Sequence, residues 1–328
     1  MRLFHHHTDL PDDARGAVVA IGNFDGIHRG HQAIIGEAGR IAWATGRRLA
    51  VLTFEPHPRQ VFQPGAPPYR LTPLRIKARQ IEELGVDDLF VLHFDEALAA
   101  VGAEDFVMDI LVRGLAAHSV VVGYNFSFGH RRLGNVELLL ALAEREGFGL
   151  TSVSPVESAE GITFSSTVIR DLLQRGEPGR AAAILGRFWE IEGRVEGGDK
   201  RGRTIGFPTA NVPLGDYIVP AHGVYAVRAG IDRGGETVWH GGAANLGRRP
   251  TVDGRSVTLE VNLFDFDGDI YGEHLRVALV ERLRVEKKFD GLDALKAQIA
   301  RDCDAARAVL ARLAADPAAG IGGERVES

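Results

Sequence analysis

Gly22-Asn23-Phe24-Asp25-Gly26-Ile27-His28-Arg29-Gly30-His31 follows the apolar run Ala17 to Ile21 and precedes an amphipathic stretch. A short apolar run, then glycines, then an amphipathic segment reads as strand, tight turn and helix. A helix start presents free N–H donors and the positive end of its dipole, so an anion is welcome there. His28 and His31 are three apart and can both face that anion. Two imidazoles beside a triphosphate suit nucleotidyl transfer, because they neutralise charge on the oxygens as pyrophosphate leaves. A metal pair would need further nitrogen, sulfur or carboxylate ligands, and none is obvious nearby.

Outward from this stretch the chain alternates. Strand candidates are Ala17 to Ile21, Arg48 to Phe54, Asp88 to Phe94, Ser119 to Gly123 and Leu150 to Val153. Amphipathic segments at Gln32 to Trp43, Pro73 to Leu84, Glu104 to Leu115 and Val136 to Glu146 lie between them. The alternation predicts a parallel, Rossmann-like α/β sheet with helices on both faces and ligands at the carboxyl ends of its strands. Thr53-Phe54-Glu55-Pro56-His57-Pro58 reads as a stiff loop at one such end. At another, Asn125, Phe126 and Phe128 combine aromatics for stacking with an amide for hydrogen bonding. Ser165, Ser166, Thr167 and Arg170 read as a helix cap with a second anion clamp.

From Trp189 the pattern changes to closely spaced strands: Trp189 to Val195, Val224 to Ala229, Thr237 to Gly241, Val257 to Phe264 and Leu275 to Val280. Glycine-rich turns separate them, which predicts a compact antiparallel β-barrel. Leu292, Leu295, Ile299, Cys303, Ala306 and Leu310 form the stripe of a final helix. The expected domains are 1–186 and 187–316, with 317–328 a disordered tail. Gly198, Lys200, Gly202, Arg203 and Gly206, leading into Pro208, Thr209 and Asn211, supply flexible backbone and basic side chains suited to a nucleotide phosphate.

Composition narrows the classes. The chain has 328 residues, 45% hydrophobic and 25% charged, with room for two cores. A net charge of −6 argues against general nucleic-acid binding. The single cysteine, Cys303, excludes an intramolecular disulfide. No apolar run is long enough to span a membrane, and Met1 to Asp9 lacks a signal-peptide core and reads as an exposed leader. Cytoplasm is therefore the expectation, with small-molecule partners and no membrane or nucleic acid. Nothing in the apolar pattern marks an oligomer interface.

The extended motif Gly-Asn-Phe-Asp-Gly-x-His-x-Gly-His resembles the signature of the nucleotidylyltransferase superfamily, in the form carried by the prokaryotic bifunctional riboflavin kinase/FAD synthetase family. The Thr-Phe-x-Pro-His-Pro, Ser-Ser-Thr-x-Ile-Arg and Gly-Phe-Pro-Thr-Ala-Asn segments are similar to that family's as well, and the resemblance runs from about Gly22 to Arg307. It implies an N-terminal FMN adenylyltransferase domain and a C-terminal riboflavin kinase, with riboflavin, FMN and FAD as substrates and products, and ATP and Mg²⁺ in both steps. In the first domain it implies ATP contacts at Gly22, Asn23, Phe24, Asp25 and Gly26, catalytic His28 and His31, phosphate contacts at Ser165, Ser166, Thr167 and Arg170, and flavin contacts at Asn125, Phe126 and Phe128. Many members carry Asp where this chain has Asn125. In the second domain it implies ATP contacts at Gly198, Lys200, Gly202, Arg203, Gly206 and Pro208, Mg²⁺ ligands Thr209 and Asn211, and a catalytic base, Glu260. An adenylyltransferase for another phosphate ester and a non-enzymatic flavin-binding scaffold stay open alternatives at this point.

Overall fold

The computed structural model describes residues 1–158, 161–197, 207–233, 236–251 and 254–315. They fall into two compact units, Met1–Ser165 and Ser166–Ser328.

The first unit is a six-stranded parallel sheet in the order β1-β4-β3-β2-β5-β6. Its strands are β1 (Arg2–Phe4), β2 (Val18–Ile21), β3 (Leu49–Glu55), β4 (Asp88–His93), β5 (Ser119–Gly123) and β6 (Gly149–Val153). Alternate residues of each strand point to opposite faces, and both faces are packed. Val19, Ile21, Leu52, Phe54, Phe90 and Val120 join one core. Val18, Ala20, Val51, Leu89 and Val121 join the other, against Ile35, Ala38 and Ala42 of α1 (Arg29–Thr45) and Ile81 of α3 (Leu74–Glu82). That two-sided burial is why the strands read as continuous apolar runs. The chain leaves β2 for β3 on one side and returns to β5 on the other, so the loop after β2 sits at the point where strand order reverses.

Two local expectations are corrected. Met1 to Asp9 is not simply an exposed leader: Arg2–Phe4 pairs in parallel with β4, and Phe4 stacks on Phe90 at 5.2 Å. Three residues carry no readable periodicity, and the edge is held instead by Arg2 and Arg48, which donate to Asp88. The Pro-His-Pro loop contains a helical turn, α2 (Pro58–Phe62), because His57 Nδ1 accepts from Arg59 N–H while Gln60 receives His57 N–H. Elsewhere in this unit, α4 (Glu96–Ala100) precedes α5 (Ala103–Asp105), which continues as a π-helical segment, Phe106–Gly114; α6 is Val136–Glu146.

The second unit opens with α7 (Ser166–Arg175) and α8 (Pro178–Leu185). Its strands are β7 (Trp189–Arg194), β8 (Ala210–Pro213), β9 (Gly223–Arg233), β10 (Glu236–Thr251), β11 (Gly254–Leu263) and β12 (His274–Arg284), in the order β7-β12-β9-β10-β11-β8 with antiparallel pairing. Glu196 N–H donates to Asn211 O at 2.9 Å, so the chain just past one edge strand meets the other edge and the sheet curls into a barrel. Val212, Leu246, Leu259, Val261 and Tyr225 are buried on one face. On the opposite face Ala226, Ala243 and Ala278 let Ala306 and Val309 of α9 (Leu292–Ala315) pack closely. The reading of Thr237 to Gly241 stopped short of β10, whose glycines break strand propensity while partners on both sides impose the ladder. β8 was missed as a strand for its brevity. Gly198 to Gly206 of the expected phosphate loop and the tail from Pro317 lie outside the described residues.

Candidate active sites at a sheet switch point and on a barrel face

In the first unit the site is built by the loop between β2 and α1. Phe24 is fully buried, with φ +47°, and its ring lies under Gly22 and meets His31 edge-on at 5.2 Å. Ile27, also buried, is held at φ +40°. Non-glycine residues rarely adopt such angles, so something must hold the loop. Asp25 is the tether. Its buried carboxylate accepts Leu71 N–H, Thr72 N–H at 2.9 Å and the Thr72 hydroxyl, which in turn receives Gly26 N–H. Asn23 is exposed, and its carbonyl accepts Thr53 Oγ1 at 3.1 Å. Phe24 and Asp25 thus turn their side chains inward, and the Gly22 and Gly26 N–H groups bind Leu52 O and Thr72 Oγ1, which fixes the backbone of the turn.

His28 caps α1. Its Nδ1 accepts His31 N–H at 3.3 Å, and the two imidazoles stack with centroids 3.7 Å apart. Because Nδ1 accepts, the neutral ring carries its proton on Nε2. A Cβ on Gly30 would lie 3.1 Å from the His28 ring, so glycine there makes room for the imidazole. The arrangement offers two stacked nitrogen rings and a helix N-terminus to one anion.

At the end of β5, Asn125 is exposed and Phe126 stacks on Phe128 at 5.4 Å. Phe128 is buried in the core beside Phe106, so its ring supports Phe126 from behind. Ser165 closes the first unit. In the second, Ser166 begins α7, Thr167 is exposed and Arg170 is buried.

In the barrel, Asn211 and Glu260 lie on paired strands. Asn211 of β8 pairs with Glu260 of β11, and Glu260 pairs on its other side with Asn245 of β10. Directly opposed residues of antiparallel strands share a face, so the three side chains stand in a row on the barrel's outer face. Asn211 is 5% exposed, and its Oδ1 has no hydrogen-bond partner among the described residues. Such an orphaned acceptor is costly unless a ligand completes it. Thr209, half-buried, stands two residues earlier. A hydroxyl and an amide oxygen are hard donors that fit Mg²⁺ held largely by water and phosphate. Pro208 is exposed, and its carbonyl receives Asn262 Nδ2 at 2.7 Å.

Sequence reasoning gave Asn262 no role and reached Asn245 only within the Gly241 to Gly247 segment, whose resemblance implied a flavin-site or structural role. Register alone puts Asn245 beside Glu260, and a cross-loop bond reveals Asn262; no local pattern carries either signal. Cys303 packs half-buried with its Sγ 3.9 Å from Asn262 Oδ1, its thiol pushed up by burial and by Asp302.

The first unit is an α/β domain with stacked histidines at its switch point, and the second is a barrel with an Asn–Glu–Asn row. The comparisons agree on both halves. A family model described as FAD synthetase matches residues 10–168, and one described as riboflavin kinase matches 185–310. The bifunctional riboflavin kinase/FMN adenylyltransferase of Escherichia coli (strain K12) is 41% identical over 302 residues, covering 92% of this chain and 95% of that protein. The Pseudomonas fluorescens protein of the same name is 42% identical, covering 95% and 98%. A crystal structure described as a macrolide-efflux protein from Streptococcus pneumoniae superposes with a TM-score of 0.82 at 32% identity, covering 93% of this chain and 98% of that one. No helix among the described residues is long and apolar enough to cross a membrane. The chain belongs to the bifunctional riboflavin kinase/FMN adenylyltransferase family.

Proposed function

We propose that this chain phosphorylates riboflavin to FMN within residues 187–316 and adenylylates FMN to FAD within 1–186, using ATP in both steps in the cytoplasm. The observation that carries the reading is the presence in one chain of both the stacked His28–His31 pair and the Asn211–Glu260 pair.

In the kinase step Glu260 accepts the proton of the riboflavin 5′-hydroxyl as that oxygen attacks the γ-phosphorus of ATP. Thr209 and Asn211 would hold Mg²⁺, which when bound would neutralise charge on the ATP phosphates. Gly198, Lys200, Gly202, Arg203, Gly206 and Pro208 are the residues proposed to bind ATP in this step. In the adenylyl step the FMN phosphate attacks the α-phosphorus in line and pyrophosphate leaves. His28 Nε2–H and His31 stabilise the oxygens that gain charge. Backbone of Gly22, Asn23 and Gly26 approaches the nucleotide, over Phe24 and the Asp25 tether. Ser165, Ser166, Thr167 and Arg170 bind the phosphates. Asn125 and Phe126, backed by Phe128, receive the flavin. Asn125 offers no charge, so this contact works by hydrogen bonding.

A chromatographic time course with purified protein, riboflavin, ATP and Mg²⁺ tests the whole reading. FMN appearing first and FAD after it is the expected result. FMN alone would remove the adenylyl assignment, and neither product would remove both.

A further inference from the structure

At the carboxyl end of β3 the first unit buries a lysine. Lys77 of α3 is 1% exposed, and its Nζ lies 2.8 Å from Glu55 Oε1. Arg70 pairs with the other oxygen of the same carboxylate. A buried ammonium is costly to keep, and removing its partner is worse, so its retention points to something it holds. What it holds can be traced. Glu55 is the last residue of β3 and leads directly into Pro56, His57 and Pro58. Arg70 leads into Leu71 and Thr72, the residues whose N–H groups grip Asp25. Thr72 Oγ1 also receives Gly26 N–H, four residues before Gly30.

We propose that Lys77 is a positioning residue for adenylyl transfer: by holding Glu55 and, through it, Arg70, it locks the Arg70–Thr72 segment that tethers Asp25 and so keeps the His28–His31 loop in its anion-binding shape. The inference rests on the adenylyl-transfer reading above and adds to it a residue that meets no substrate.

Among the described residues Glu55 from β3, Asp25 from the β2–α1 loop and Arg70 from the segment before α3 face Lys77 with charge. Burial pushes the lysine down to about 8; Asp25 opposes that shift and Arg70 adds to it. Above that value Lys77 loses its charge, its hold on Glu55 falls to a neutral hydrogen bond, and the lock loosens. Adenylyl transfer therefore falls on the alkaline side, while the kinase, in the other unit, does not follow Lys77.

The test uses the full chain and records kcat and KM for FMN adenylylation from neutral to alkaline pH, with riboflavin phosphorylation by the same sample as the internal reference. Lys77→Arg should move the alkaline fall of kcat to higher pH, and Glu55→Gln should move it to lower pH. Lys77→Met should lower kcat at least tenfold at neutral pH and abolish the alkaline fall, leaving phosphorylation within twofold of wild type. An alkaline limb unmoved in both Lys77→Arg and Glu55→Gln overturns the proposal. So does loss of stability in Lys77→Met accompanied by that unmoved limb, which makes Lys77 a packing residue only. A wild-type protein that makes FMN but no FAD would instead bring down the reading on which the proposal rests.

Discussion

The first unit sets its two histidines at the end of a loop, whereas the barrel sets Glu260, Asn211 and Asn245 on adjacent strands. His28 and His31 depend on a turn that contains two non-glycine residues at positive φ, Phe24 and Ile27. Such a turn does not hold itself. Buried Asp25, reaching across to Leu71 and Thr72, supplies the constraint. Glu260 needs no comparable tether, because ladder hydrogen bonds to β8 and β10 set where Asn211 and Asn245 stand. A loop site is stabilised by side chains remote in sequence, and a ladder site by backbone pairing. The first is therefore vulnerable to distant substitutions, and the second chiefly to changes in its own residues.

The sharpest way to break the comparison is at the chemical groups themselves. Glu260→Gln should reduce riboflavin phosphorylation by about 10²–10⁴-fold, the usual worth of a general base, and leave FMN adenylylation intact. His28→Ala should do the reverse, lowering adenylylation by about 10²–10³-fold, as for loss of one donor to a developing oxyanion. Both are read from the same FMN and FAD time course, and crossed effects would deny that the two units carry separate reactions.

The tether is the next test. Asp25→Ala leaves Leu71 and Thr72 N–H without their acceptor and should lower the stability of the first unit by about 3 kcal/mol. Hydrogen exchange should rise in the Gly22–His31 loop and not in the barrel. An unchanged loop would mean that packing of Phe24 and Ile27 suffices. On the barrel side, Asn262→Ala removes one bond to Pro208 O, worth about 1 kcal/mol. A several-fold rise in KM for ATP in the kinase step should follow, with adenylylation unaffected.

The smallest effect concerns the edge strand. Burial alone would raise the Asp88 carboxyl, yet bonds from Arg2 and Arg48 win and hold it below its ordinary value. A carboxylate lowered on folding adds stability above the ordinary carboxylate range and loses it as pH falls through the folded value. Asp88→Asn should therefore make the docking of β1 weaker at neutral pH and less dependent on acid. Amide protection of Arg2–Phe4 against pH measures this, and an unaltered acid dependence would assign it to other carboxylates.

Much of the fold was legible because its periods are strong. β5 and α6 run over the residues their patterns predict, and the motif after β2 announced its turn and helix. What escaped reading lacked local signal. β1 is three residues long, β8 four, and β10 contains glycines that argue against a strand. Each exists because a neighbouring strand offers hydrogen bonds, which is a fact about tertiary pairing rather than propensity.

The candidate residues divide along the same line. His28, Gly30 and His31 lie within one helical turn, so their spacing alone makes them meet, and the sequence by itself determined that pair. Sequence by itself also determined the change from alternating α/β to β-rich patterning near Trp189. Only the tertiary structure decided that Phe24, Asp25 and Phe128 face inward, and that Asn245 and Asn211 flank Glu260. It alone brought Lys77 to Glu55, 22 residues away. The reason is physical: local spacing specifies neighbours within a turn or along a strand, but partners across a ladder or through a core are chosen by the free energy of the whole packed unit.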